Sequence, residues 1–197
     1  HWTGRGMTWN SMCAYCHNTR LDKNYEEATD SYRTTMAELG VGCEACHGPM
    51  KDHAEWRRAY PDPATPDPTV RRFNTFQTLY TCAPCHSRRL ELTGDFVPGE
   101  HYFDHFSLVT VDESDLYYAD GQVQGENYVF ASFLSSRMYA AGVRCLDCHD
   151  AHSLKTIYSG NDLCMRCHNG GYATSPIIDP AAHALLRRLG GSPATLD

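Results

Sequence analysis

The sequence has no long hydrophobic run and no excess of positive charge. No segment reaches the roughly 18 consecutive apolar residues from which a membrane-spanning helix is built. Lys and Arg number 17 against 24 Asp and Glu, so the formal net charge is −7 at pH 7. Proteins that bind nucleic acid through its phosphates need a basic surface. We therefore expect no membrane span and no nucleic-acid partner.

Side chains for an ordinary hydrophobic core are also scarce. Hydrophobic residues make up 42 % of the 197 residues, which is low for a domain whose core consists of side chains alone. A large apolar cofactor can compensate for this shortage, because burying it removes apolar surface from water as burying aliphatic side chains does. The composition therefore indicates a fold that depends on something other than its own side chains.

Cysteine, by contrast, is abundant and is confined to one pattern. C-x-x-C-H occurs five times and uses all 10 cysteines. Two thiols three positions apart can form thioether bonds to the two vinyl groups of one haem, and the histidine that follows is held against the iron. The pattern predicts five covalent haem c groups. The predicted attachment residues are Cys13, Cys16, Cys43, Cys46, Cys82, Cys85, Cys145, Cys148, Cys164 and Cys167, and the motif ligands are His17, His47, His86, His149 and His168.

Other uses of paired cysteines explain the sequence less completely. Structural zinc sites combine two C-x-x-C pairs, so 10 cysteines would fill two sites and leave one pair over. Zinc also leaves the histidine after every second cysteine unexplained. A disulfide framework accounts for the even count but not for the fixed spacing. A thioredoxin-like redox site needs one C-x-x-C, not five.

The histidines outside the motifs are numerous enough to supply the second axial ligand of each iron. Six remain, and five irons need five. The predicted distal ligands are His53, His105, His152, His183 and His1, with His101 as the spare. An iron with two imidazole ligands has no open position for a substrate, and it lacks the methionine that raises the potential of many cytochromes. Bis-histidine ligation therefore favours electron transfer at low potential over bond-making chemistry.

Secondary-structure signals are modest. They predict a mostly α fold with extensive coil and one small β-hairpin in residues 22–39. A short helix over residues 51–60 would carry His53 and end before Pro61, and the third motif would lie on a helix within residues 76–92. Apolar spacing predicts a further helix over 127–141 that ends at Gly142, and a last helix between Pro180 and Gly190 would carry His183. We expect a single pentahaem cytochrome c domain, residues 1–197, wrapped around a stacked chain of haems.

Several segments closely resemble a known family, the multihaem c-type cytochromes found beside tetratricopeptide repeats. These are related more loosely to the octahaem and pentahaem cytochromes of nitrogen metabolism. The resemblance implies electron-transfer haems with mostly bis-histidine ligation, and it supports His53, His105, His152 and His1 as distal ligands. The chain has no tetratricopeptide repeat of its own. The segments that carry the resemblance are WTGRGMTWNSMCAYCHNT, KNYEEATDSYRTTMAELGVGCEACHGP, CAPCHSRR, PGEHYFDHF, SFLSSRMYAAGVRCLDCHDAHSLK and GNDLCMRCH.

Location and partners follow from the predicted cofactor. Covalent haem attachment takes place outside the cytoplasm, so we expect an exported protein, periplasmic or extracellular. Residue 1 is His rather than Met, which suggests a processed form or a fragment. The expected partners are redox proteins or an extracellular electron acceptor.

Two further hypotheses concern assembly and catalysis. A terminal ligand such as His1 could bind a haem of the neighbouring subunit, and head-to-tail contacts of that kind build open filaments. The alternative function is an oxidoreductase that acts on a small nitrogen or sulfur species at one five-coordinate haem. His101 and Tyr102 would then deliver protons.

A fold that depends on its cofactor should not form without it. We expect the haem-free chain to be unfolded, by analogy with small domains that fold only around a bound metal. Far-UV circular dichroism of the apo-protein tests this, and a native-like spectrum would contradict it.

Overall fold

The computed structural model describes residues 7–125 and 127–168, so the predicted helix that carries His183 lies outside the described residues. The chain divides into two compact units, the first ending at Val109 and the second beginning at Thr110. The first unit contains the first three C-x-x-C-H motifs and the second contains the last two. Whether both act as one domain stays a prediction.

Short helices and short strands alternate in the first unit, and long coil segments connect them. Its helices are α1 (Trp9–Met12), α2 (Ala14–His17), α3 (Cys43–His47), α4 (Lys51–Ala59), α5 (Thr75–His86) and α6 (Tyr102–His105). Its strands are β1 (Asn18–Asp22), β2 (Tyr25–Glu26), β3 (Ser31–Tyr32), β4 (Thr35–Leu39), β5 (Arg89–Glu91) and β6 (Phe106–Leu108).

The second unit has the same mixed character. Its described elements are α7 (Phe130–Leu134), α8 (Arg137–Ala140), β7 (His149–Asp150), β8 (Lys155–Thr156) and α9 (Asp162–His168). A single turn of 3-10 helix, Cys145–Asp147, precedes β7. Within residues 7–125 and 127–168, no helix has both the length and the apolar character needed to cross a bilayer.

The predicted hairpin is confirmed. Strands β1 and β4 pair antiparallel, with Asn18 opposite Leu39 and Asp22 opposite Thr35, and β2 pairs with β3 at the far end. A 3-10 turn at Glu27–Thr29 reverses the chain. The prediction of one hairpin was incomplete, because β5 pairs with β6 and β7 with β8 as well. These strands are two or three residues long, too short for apolar and polar residues to alternate recognisably.

The predicted helix after the second motif is confirmed as α4, whereas the third motif departs from its prediction. Helix α5 ends at His86 instead of continuing, because Ser87 is extended (φ −127°, ψ 147°) and the chain enters β5. The start of α5 is fixed by a capping box in which Asn74 and Gln77 accept hydrogen bonds from each other's backbone N–H groups.

The helix predicted over residues 127–141 is divided in two. Helix α7 ends at Leu134, and Ser136 starts α8 by accepting a hydrogen bond from the Tyr139 N–H at 3.1 Å. A serine cap competes with helix continuation, which the apolar spacing alone does not reveal. Gly142 ends α8 as predicted, with a φ of +90° and a hydrogen bond to the Tyr139 carbonyl.

Few large side chains are buried. In the first unit, Leu21, Leu79, Tyr102 and Phe106 form most of the buried apolar surface. Other buried positions hold small or polar residues. The side chains alone thus make a small core, as the composition predicts.

One buried hydroxyl ties the hairpin to the second motif. Thr19 on β1 donates to the Gly40 carbonyl at 2.8 Å and accepts from the Gly42 N–H at 2.9 Å, immediately before Cys43. We expect Thr19→Val to lower the free energy of unfolding of the holoprotein by about 2 kcal/mol, because two buried polar groups lose their partner. Urea unfolding measures this. Thr8→Val is the control, since the Thr8 side chain makes no capping bond, and equal losses would contradict the assignment.

Candidate haem attachment sites

A single helical turn brings together the three side chains of most motifs. In α3, Cys43, Cys46 and His47 occupy positions i, i+3 and i+4, which lie on one face of a helix. The third and fifth motifs lie in the same way at the ends of α5 and α9. Two thiols and one imidazole on one face are the arrangement that thioether attachment and axial ligation of one haem require.

The first and fourth motifs reach this arrangement differently. Cys13 joins α1 to α2 with helical backbone angles (φ −103°, ψ −38°), so the first motif still follows a right-handed turn. In the fourth motif the 3-10 turn that begins at Cys145 ends before Cys148, and His149 already belongs to β7. The imidazole of His149 is therefore positioned by a strand.

The ten cysteines all lie within the described residues, and none forms a disulfide. In the described part of the chain, no three His, Cys, Asp or Glu side chains converge into a group able to hold a metal ion.

Large apolar side chains are exposed beside each motif. Leu39 is 81 % exposed shortly before the second motif, and Leu154 is 86 % exposed shortly after the fourth. A porphyrin is a broad apolar disc that would cover such side chains, so the residues present fit the predicted cofactor. The other exposed apolar residues near motifs include Trp9, Met12, Val41, Leu90, Leu92, Leu146, Ile157 and Met165.

In the first unit, cysteines of different motifs converge. The thiols of Cys16 and Cys85 interact, and this interaction lowers the pKa of Cys16 to about 7 and raises that of Cys85. Cys46 lies close enough to contribute a further charge effect that raises the pKa of Cys85. The attachment points of the first and third motifs are thus in contact, and the second is nearby.

The second unit shows a similar convergence. Burial raises the pKa of Cys148, and the charges of Asp147, Cys167 and Cys164 raise it further. The thiols of the fourth and fifth motifs therefore lie close together, as their short separation in the sequence requires.

An arginine and two aromatic rings stabilise the region between the first and third motifs. The Arg89 guanidinium lies 4.3 Å from the ring centre of Tyr15 and 4.0 Å from that of Phe106, distances typical of cation–π contacts. Its Nε donates to the Pro84 carbonyl at 2.7 Å, inside the third motif. Burial raises the pKa of the Tyr15 hydroxyl. This contact holds α2 against the end of α5.

His53 projects from α4 and meets a buried carboxylate. Its Nδ1 lies 2.8 Å from Oδ2 of Asp67, whose side chain is only 1 % exposed. The His53 side chain is 29 % exposed although its Nδ1 atom is buried, so the accessible part of the side chain lies elsewhere. Nδ1 is thus turned towards the protein.

His105 is placed between polar groups on both sides of its ring. Nδ1 lies 2.5 Å from the Thr93 hydroxyl and 3.4 Å from Asp95, while Nε2 lies 3.2 Å from the Glu100 carboxylate. The side chain is 15 % exposed. Coordination of iron through Nε2 would require the Glu100 carboxylate to move.

The remaining predicted ligands differ in their surroundings. His152 lies in the exposed turn between β7 and β8, where its backbone N–H and that of Ser153 donate to Asp150. His101 is exposed and contacts the ring of Tyr80 edge-on, at 4.7 Å between ring centres. His1 and His183 lie outside the described residues.

Sequence reasoning missed the carboxylates that accompany the candidate ligands. Asp67 comes from the proline-rich loop that follows α4, and Glu100 precedes α6. The signal for Asp67 was its position two residues before Thr69, since Asp and Thr at this spacing form a local hydrogen-bonded turn. For Tyr102, the proposed proton donor, the structure shows a buried hydroxyl 2.8 Å from the Ser87 hydroxyl.

Comparison with known proteins supports the sequence interpretation in part. The cytochrome c554 and c-prime family matches residues 3–48, which contain the first two motifs. This match supports covalent haem c and a multihaem c-type cytochrome, and it points to an electron-transfer protein rather than an enzyme.

Other comparisons add little. The solved structure of the outer cell wall cytochrome OcwA aligns with a TM-score of 0.48 and 21 % identity. The alignment covers 77 % of this chain and 35 % of that one, so this chain spans about a third of the length of OcwA. No curated protein matches the chain.

Gly48 allows the chain to turn after the second motif. It adopts φ +71° and ψ −167°, a region accessible essentially only to glycine, and an added Cβ would lie 2.6 Å from Nη1 of Arg71. Arg71 cannot move without cost, because it donates to the Pro98 carbonyl at 3.2 Å and lies over Phe73.

We expect Gly48→Ala to lower the free energy of unfolding of the holoprotein by about 2 kcal/mol. Gly40→Ala is the matched control, because Gly40 also has a positive φ (+85°) but no atom within 4 Å of an added Cβ. Urea unfolding should show the smaller loss for Gly40→Ala. The reverse order would contradict the role assigned to Gly48.

Proposed function

We propose that the chain is a pentahaem electron-transfer cytochrome whose five motifs each bind one haem c covalently. The observation that carries this proposal is the repeated arrangement of two thiols and one imidazole within five residues, using every cysteine of the chain. The exposed apolar side chains beside the motifs add support, because they need a cover that the described protein does not supply.

Bound haem c supplies a one-electron Fe(III)/Fe(II) couple. The protein's residues determine where that couple lies and how it is tuned. Cys16 and Cys85 are in contact, so the first and third motifs hold their cofactors at adjacent points. Closely placed attachment points favour short electron-transfer distances, which a carrier of electrons needs.

Distal histidines would complete the ligand sets. His53, His105 and His152 are the described candidates, and His1 and His183 are the candidates outside the described residues. Among the described candidates, His53 is the best prepared, because its Nδ1 is buried against Asp67 while the side chain remains partly exposed. A fully six-coordinate set would keep substrates from the iron, which suits a carrier.

Export to the periplasm or cell exterior follows from covalent haem attachment. The filament hypothesis depends on His1 and stays a prediction, as do the redox partners. His101 is the spare histidine in this proposal, and it lies exposed against Tyr80.

Haem content and spin state test the proposal. We expect five covalent haems per chain by pyridine haemochrome and only low-spin ferric signals by electron paramagnetic resonance. His53→Ala, His105→Ala and His152→Ala should each convert one of the five haems to high spin, because alanine leaves the sixth position open.

His101→Ala is the matched control, as it removes a histidine from the same segment as His105 and should leave all haems low-spin. A stoichiometric high-spin haem in the unaltered protein would contradict the carrier function. Fewer than five haems per chain would contradict the cofactor assignment.

A further inference from the structure

The proline-rich loop after α4 is folded back so that one carboxylate reaches His53. Asp67 stands between Pro66 and Pro68, whose fixed backbone angles limit the loop's freedom. Its Oδ1 accepts hydrogen bonds from the Thr69 N–H at 2.8 Å and from the Thr69 hydroxyl at 2.6 Å. One carboxylate oxygen is therefore occupied by the loop itself, and Oδ2 is left to face α4.

Two cationic or ionisable groups of α4 approach this second oxygen. His53 Nδ1 lies at 2.8 Å and Arg57 Nε at 3.2 Å from Oδ2. Arg57 also donates to the carbonyls of Asp62 and Thr65, at 3.3 Å and 3.4 Å, so it ties the loop to the helix. The carboxylate is thus held in place by contacts that do not involve His53.

Burial makes the contact with His53 consequential. The Asp67 side chain is 1 % exposed, and neither its Oδ2 nor His53 Nδ1 has an aligned hydrogen-bond partner in the described residues. The 2.8 Å separation is within hydrogen-bonding distance, and a hydrogen bond from the Nδ1–H would add to the Arg57 ion pair at the same oxygen. Binding an iron at the other ring nitrogen would fix the orientation of the imidazole.

We propose that Asp67 is a positioning residue for His53. The Asp67 carboxylate accepts a hydrogen bond from the Nδ1–H of His53, so that Nε2 faces and binds a haem iron. The same hydrogen bond makes the imidazole a stronger electron donor to the iron. This inference rests on the proposed haem-binding function. Metal-ligating histidines usually donate their second N–H to a carboxylate or carbonyl, which fixes the tautomer and raises ligand basicity. A more basic ligand stabilises ferric over ferrous iron and lowers the reduction potential.

Asp67→Asn is a precise test, because the asparagine side-chain oxygen can keep both hydrogen bonds from Thr69 while the charge at Oδ2 is lost. We expect His53 to bind ferric relative to ferrous iron about tenfold more weakly, which raises one of five midpoint potentials by about 59 mV. Spectroelectrochemical titration measures the potentials, and electron paramagnetic resonance should show changed g-values for one low-spin haem.

Asp52→Asn is the matched control. Asp52 is an exposed carboxylate on α4, next to His53 in the sequence. Its substitution removes the same charge without removing a contact to Nδ1. The five midpoint potentials of Asp52→Asn should stay close to those of the unaltered protein. Equal shifts in both variants would show a general charge effect and overturn the inference.

A His53→Met background separates this inference from the proposed function. Methionine has no N–H to donate, so Asp67→Asn should not change the potentials further in that background. A shift of the same size there would overturn the inference. If His53→Met changes the spectrum of one haem but Asp67→Asn changes nothing, Asp67 has no positioning role while the haem function stands. If His53→Met leaves all five haems unchanged, His53 is not an iron ligand. The assignment of His53 as a distal ligand and that of Asp67 as its positioning residue then both fail.

Discussion

Two cysteines and one histidine within five residues, the covalent haem site that we propose for each motif, are the constraint on which the rest of the structure depends. A covalent site of this kind needs only one turn of backbone, so the chain can use helices as short as α3, Cys43–His47. Helices of that length are not stable on their own in water. The apolar side chains left exposed around them indicate where the missing stabilisation comes from, since the cofactor provides the surface that longer helices would otherwise provide.

Local signals predicted the local features well. The motifs, the β1–β4 hairpin and α4 each depend on residues within one short segment. The sequence could not show that α5 ends at His86, or that Ser136 starts a new helix. Both depend on the backbone angles and hydrogen bonds of single residues, which the spacing of apolar residues does not reveal. Asp67 was missed for a different reason. Asp67 reaches His53 because its loop folds back onto α4, and a contact between a loop and a helix produces no periodic pattern in the sequence.

Motif order in the sequence is also a poor guide to neighbourhood. Cys16 of the first motif lies close enough to Cys85 of the third for each thiol to shift the pKa of the other, and Arg89 lies beside them between Tyr15 and Phe106. The hairpin and the second motif are inserted between these two segments in the chain. An electron path through the first unit therefore need not follow the order in which the cysteines occur.

The candidate distal histidines differ in the carboxylates beside them, and the resulting differences in haem potential could give such an electron path a direction. The Asp67 side chain is covered by its surroundings and anchored by Thr69, and its charge lies 2.8 Å from His53 Nδ1. The carboxylates beside His105 are exposed or partly exposed, and one of them faces the nitrogen that an iron would need. Identical ligand types would then yield unequal potentials, with the lower one at His53. A chain that binds the five haems we propose would be able to grade the potentials of chemically identical cofactors in this way, through the second partner of each imidazole.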